Sequence, residues 1–211
     1  MTDWVTISSL ATAGGTLVLA AATFASVRSA NRSARIAERA LQVGLRPLLT
    51  PSKLEDPLIK VLWVDGHHSR LEGGRATVEV VDGVIYLAMS LRNVGSGMAV
   101  LHGWHPAPRL LRADESHAEP EQFRSQTRDL YVPPGDVGFW QGAFRDPSEP
   151  GYAEMCEAIQ ERRRVSVELL YGDHEGGQRV VSRFGLSSTR DGSVWLASVG
   201  RHWNLDRPDP R

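Results

Sequence analysis

The chain has 211 residues, 24 of them Lys or Arg and 25 Asp or Glu, for a formal net charge of −1, and 41% are hydrophobic. Near-neutrality removes the basic excess expected of a chain whose main task is nucleic-acid binding, and a lone cysteine, Cys156, excludes an intramolecular disulfide framework. The length suits one globular domain with an adequate core.

Residues 4–27 contain no Asp, Glu, Lys, Arg, His, Asn, Gln or Pro. As a helix the segment is about 36 Å long against roughly 30 Å of bilayer hydrocarbon, and Trp4 stands where an interfacial aromatic belongs. Residues 1–27 are therefore expected to form a transmembrane anchor. A cleaved signal peptide is the main rival, since Ala20, Ala22 and Ala25 resemble a cleavage site, but no Lys or Arg precedes Arg28. A buried soluble helix is the other, and the run is long for that. Ala11 and Gly15 form a small-xxx-small pair that would let two such helices associate into a homo-oligomer.

Helical spacing continues through Ala30, Ala34, Ala37 and Leu41 to Gly44, with Pro47 beyond it, so one helix is expected from about Asp3 to Val43. Residues 28–46 form a basic juxtamembrane stretch in which Arg28, Arg32, Arg35 and Arg39 face lipid headgroups, each contributing ~1 kcal/mol. The same stretch also reads as a short helix pair or as a solvated stalk. Arginines on this side of the span place the N-terminus outside the cell membrane and the C-terminal part in the cytoplasm.

Residues 47–203 read as an antiparallel β-sandwich domain with one short helix. Alternating apolar positions predict strands at 59–64, 76–81, 84–93, 98–104, 109–112, 129–132, 137–144, 165–171, 179–186 and 193–199. Gly73-Gly74, Asp82-Gly83, Pro133-Pro134-Gly135, Gly176-Gly177 and Asp191-Gly192 punctuate them. Both faces of 84–93 are apolar, which marks a doubly covered central strand. A helix is expected from about 151 to 163, with Cys156 as a small apolar filler. The polar segment 113–128 is expected to be a mobile loop, and 204–211 a flexible tail.

Two short signatures stand out: Leu91-Arg92-Asn93-Val94-Gly95-Ser96-Gly97-Met98-Ala99 and Tyr171-Gly172-Asp173-His174-Glu175-Gly176. With Arg46-Pro47 ahead of them, the chain resembles uncharacterised bacterial single-pass proteins that join an N-terminal transmembrane helix to an immunoglobulin-like β-sandwich. The resemblance implies that fold and no catalytic residues. Met98 departs from the pattern, where Pro is common. Read from the residues, Gly95 and Gly97 supply positive φ, Asn93 bonds its own backbone, Tyr171 packs inward and Asp173 caps a hairpin.

No site chemistry stands out. His102 and His105 are three apart on a strand and point to opposite faces, and no metal-ligand spacing recurs among the histidines. A nucleophile elbow is missing, and the paired acids of 114–121 fall in the polar loop. No cofactor and no enzymatic activity are expected. Trp63, Trp104, Trp140 and Trp195 suit a core, whereas Trp203 is a candidate partner surface. The expected function is a membrane-anchored, non-catalytic interaction module presenting a cytosolic β-sandwich to a protein partner or ligand. The alternative is a signalling effector whose domain senses a ligand and drives oligomerisation of the transmembrane helix.

Overall fold

The computed structural model describes residues 3–207, leaving out the side chains at 4–7, 10, 11, 39, 42 and 43. The chain divides into two compact units, Met1–Val43 and Gly44–Arg211.

The first unit is helix α1, Asp3–Gly44, 42 residues long. No proline interrupts it, and three of its hydroxyls bond its own backbone: Thr12, Thr16 and Thr23 donate to the carbonyls of Ser8, Thr12 and Leu19 at 2.8, 2.9 and 2.8 Å. Its described large apolar side chains lie uncovered, Leu17 being 72% and Phe24 70% exposed. Among the described residues, no helix is long and apolar enough to cross a membrane. Six positions of the uncharged segment (4–7, 10 and 11) fall outside the described side chains.

The second unit is mainly antiparallel β and fits a β-sandwich. Its strands are β1 Leu49–Pro51, β2 Ile59–Leu62, β3 His68–Leu71, β4 Arg75–Val81, β5 Val84–Asn93, β6 Ala99–Ala107, β7 Arg124–Val132 and β8 Val137–Phe144. Helix α2, Tyr152–Gln160, precedes β9 Val165–Gly172, β10 Arg179–Ser188 and β11 Trp195–Asn204. One nine-stranded sheet runs β8-β5-β4-β11-β10-β9-β6-β7, with β1 extending the β4 edge of β5. Strands β4 and β11 share only Trp195↔Ala76 and Leu196↔Arg75, and at that corner the sheet folds back on itself. Ile85, Leu87, Met89 and Leu91 of β5 then pack with Val165, Val167, Leu169 and Tyr171 of β9 in one core.

Strand β5 is doubly covered, as its apolar faces predict. Tyr86 and Ala88 on its other face lie in a second core with Val61, Trp63 and Leu71 of the β2–β3 hairpin. Asp82 and Gly83, at φ 50° and 76°, make the two-residue turn into β5, the conformation a tight hairpin demands. Helix α2 begins after Gly151 and buries Met155, Ala158 and Ile159; Cys156 is half-buried beside it.

Three expectations need correction. Residues 109–112 are not a strand, because Leu111 donates its N–H to Ser166 Oγ (2.9 Å) and not to a neighbouring backbone. Segment 113–128 is not an unstructured loop. Arg183 donates to the carbonyls of Arg112, Glu115 and Ser116, Ala118 N donates to Glu168 Oε2 at 2.8 Å, and β7 already begins at Arg124. The region expected as a tail starts inside β11: Leu205 N donates to Arg179 O at 3.0 Å, and Arg179 Nη2 pairs with Asp206 Oδ1 at 2.8 Å. Residues 208–211 lie outside the described residues.

Candidate functional site

The two end strands of the sheet, β7 and β8, are consecutive in sequence and joined by the four-residue turn Pro133–Asp136, yet they share no ladder. Asn93 is one physical reason. Its backbone N–H donates to Asp136 O (3.1 Å), its carbonyl accepts from Gly135 N (2.8 Å), and its Nδ2 donates to Val132 O (2.9 Å). The turn itself is closed, Asp136 N donating to Pro133 O at 3.2 Å, but Asn93 of β5 engages Asp136 O, Gly135 N and Val132 O around it. The two strands diverge from the turn, and the seam between them is bridged by a side chain: Gln126 Nε2 donates to Gln141 O at 2.9 Å.

The far end of the seam opens into a cleft of about 360 Å³. Trp63 from the β2–β3 hairpin and Trp104 from β6 form its apolar lining, with Arg124, Gln141, Gly142 and Arg145 around them. Trp63 Nε1 donates to Gly142 O at 3.2 Å, which ties the hairpin to β8. Gly142 is required: a Cβ there would stand 2.8 Å from Trp140 and 2.9 Å from Trp104.

Charge in the cleft is compensated. Arg124 packs its guanidinium 4.0 Å from the Phe144 ring centroid and pairs with Glu149. Burial pushes the Glu149 carboxyl up, but the N–H groups of Asp146 and Arg145 and the Arg124 guanidinium outweigh it and hold the group below its ordinary pKa. Arg145 Nε pairs with Asp65 Oδ2 at 3.1 Å, and Tyr86 OH donates to the same oxygen at 3.0 Å. Asp65 is likewise pushed up by burial and brought lower overall by His67 N–H, Tyr86 and Arg145. Among the described residues, Gln141 Oε1 and Gln126 Oε1 are buried without a hydrogen-bond partner. Arg124 also borders a second hollow of about 470 Å³, where burial lowers the pKa of His105 and its Nδ1 has no partner.

The residues singled out from sequence lie elsewhere. Trp203 is 6% exposed, not a partner surface: Arg183 and Arg201 cover its ring at 4.7 and 5.0 Å, and His117 packs on its edge. Arg28, Arg32 and Arg35 are exposed on α1, whereas the side chain of Arg39 lies outside the described residues. Gly15 is exposed, and a Cβ there would meet nothing within 4 Å; its partner in the association face, Ala11, also falls outside. Among the described residues no group of three His, Cys, Asp or Glu is placed to hold a metal.

The two signature motifs are architectural. Gly95 and Gly97 are glycines through close approach, not positive φ: a Cβ on Gly95 would lie 2.4 Å from Arg46 O, and one on Gly97 would lie 1.7 Å from Leu45 O. Tyr171 does pack inward, its OH accepting from Leu49 N (3.1 Å) and hydrogen-bonded to Ser182 Oγ at 2.7 Å. Asp173 Oδ1 accepts from Gly177 N at 2.9 Å and so caps its hairpin. The seam itself was not foreseen, because no local pattern reveals that neighbouring strands fail to pair. Comparison of the chain with family models, with curated proteins and with solved structures found no match.

Proposed function

We propose that this chain is a non-catalytic interaction module tethered to a membrane by its N-terminal helix, with its β-sandwich offered to a protein partner in the cytosol. The observation that carries the reading is the uncovered apolar surface of α1: Leu17, Val18, Leu19 and Phe24 are all exposed on a helix that belongs to a separate unit from the folded domain. An apolar helix of this kind needs a lipid or protein cover. The charge-free run 4–27, followed by Arg28, Arg32, Arg35 and Arg39, supports a bilayer as that cover and the cytosol as the side that holds the domain. Compensated charge in the seam cleft, where Arg124 pairs with Glu149 and Arg145 with Asp65, supports a binding role.

Alkaline carbonate washing of membranes from cells expressing the full chain tests the tether. The expected result is retention in the pellet, with loss of retention when Leu17, Leu19 and Phe24 are each replaced by Asp. Release of the unaltered chain into the supernatant would overturn the proposal. Protease added to spheroplasts and to inverted vesicles should cut the domain only in the latter.

A further inference from the structure

We propose that the seam between β7 and β8 is the docking groove for an extended peptide segment of a protein partner, which adds as a strand to the free edge of β8. This rests on the interaction-module reading and gives it a partner class and a binding mode.

Among the described strands, β8 forms a ladder with β5 alone. An unpaired strand edge is a template for another chain, and folded proteins usually cover or charge it. Here a side-chain amide takes the place a neighbouring strand would fill, Gln126 Nε2 on Gln141 O at 2.9 Å. That contact holds the edge weakly and can be exchanged for a backbone N–H.

A second, independent observation points to a ligand with donors. Gln141 is 2% exposed and lines the cleft, yet its Oε1 has no partner; the Oε1 of half-buried Gln126 has none either. A buried acceptor left empty is costly. A peptide entering the seam brings N–H groups at strand spacing.

The lining argues against other ligand classes. Trp63 and Trp104 are 3% and 4% exposed, so neither offers a ring face on which a sugar or a base could stack. Arg124 and Arg145 are already paired with Glu149 and Asp65, which leaves no free cation pair for a phosphate. A cleft whose charges are paired and whose edge is backbone suits a main chain. The turn at Pro133–Asp136 closes one end of it, so the segment enters from the Arg145 and Glu149 end.

The test uses the full chain in detergent micelles and a displayed library of random peptides, with hydrogen–deuterium exchange on the peptides that are enriched. Those peptides should slow exchange at Gln141–Ala143, and N-methylation of alternate peptide backbone nitrogens should weaken binding by about tenfold or more. Gln126→Ala, which uncovers Gln141 O, should tighten it several-fold. Protection elsewhere in the domain, or indifference to N-methylation, would overturn the seam assignment while leaving an interaction module in place. Concentration-dependent protection of β8 without peptide would overturn it in favour of a second copy of the chain. A library that enriches nothing would count against both the seam and the module.

Discussion

At the level of single residues, buried polar groups set this domain's response to pH and substitution. Tyr171 is fully enclosed, and burial pushes its hydroxyl from 10.0 up to about 12. Its folded-state pKa is raised, so the protection it gives is complete below pH 10 and is lost as pH climbs toward 12. Tyr171→Phe should therefore unfold more easily at neutral pH by ~1–2 kcal/mol, the value of its bonds to Leu49 and Ser182. It should also lose less stability between pH 10 and 12 than the parent, as urea titrations along that range will reveal. Gly142→Ala tests the seam floor. With two indole rings under 3 Å from the new methyl, it should cost about 1–3 kcal/mol in the same assay. A neutral result would mean that Trp104 can withdraw.

At the level of elements, the pairing of β9 with β10 explains why a polar segment is ordered. Glu168 and Arg183 face each other directly across that ladder, 3% exposed or less at their side chains, under residues 112–118. Arg183→Met alone should destabilise by about 3–5 kcal/mol, because it strands a buried carboxylate. Adding Glu168→Leu should recover most of the loss, yet in both variants amide exchange in 112–118 should quicken, since no guanidinium then holds its carbonyls. An equal loss in the single and double variants would refute the pairing argument. The same pair shows what a sequence conceals. Val84–Asn93 and Val137–Phe144 were legible to the residue because their apolar alternation is strong. β3, whose sequence is His-Ser-Arg-Leu, and β1, which ends in a proline, carry no such pattern and exist through partners. Glu168 and Arg183 look like solvent-facing strand positions; only the fold puts a loop over them. Trp203 was misjudged for the same reason. The seam lay further out of reach, because Pro-Pro-Gly between two apolar runs announces a hairpin, and the grip of Asn93 on that turn is set by the fold.

At the scale of the whole molecule, the tether and the groove make separable demands. Replacing apolar residues of α1 should move the chain out of membranes without altering urea stability of the sandwich, because the helix forms a unit of its own. Equal losses of both would mean the helix contributes to the fold. Altering the seam should do the reverse, leaving membrane retention unchanged while abolishing peptide binding.

The stretch Leu45–Leu48 has a mechanical meaning. Ser96 N and Gly97 N both donate to Arg46 O, Val94 N donates to Leu48 O at 2.8 Å, Asn93 Oδ1 accepts from Leu48 N, and Arg46 also grips Asn204 on the last strand. The chain is thus strapped down at the point where it enters the domain, with Gly95 and Gly97 letting the strap lie flat. Tension arriving along the leader meets this buckle before it reaches β1. A pull on Leu45 would load this cluster of bonds together instead of peeling strands one bond at a time.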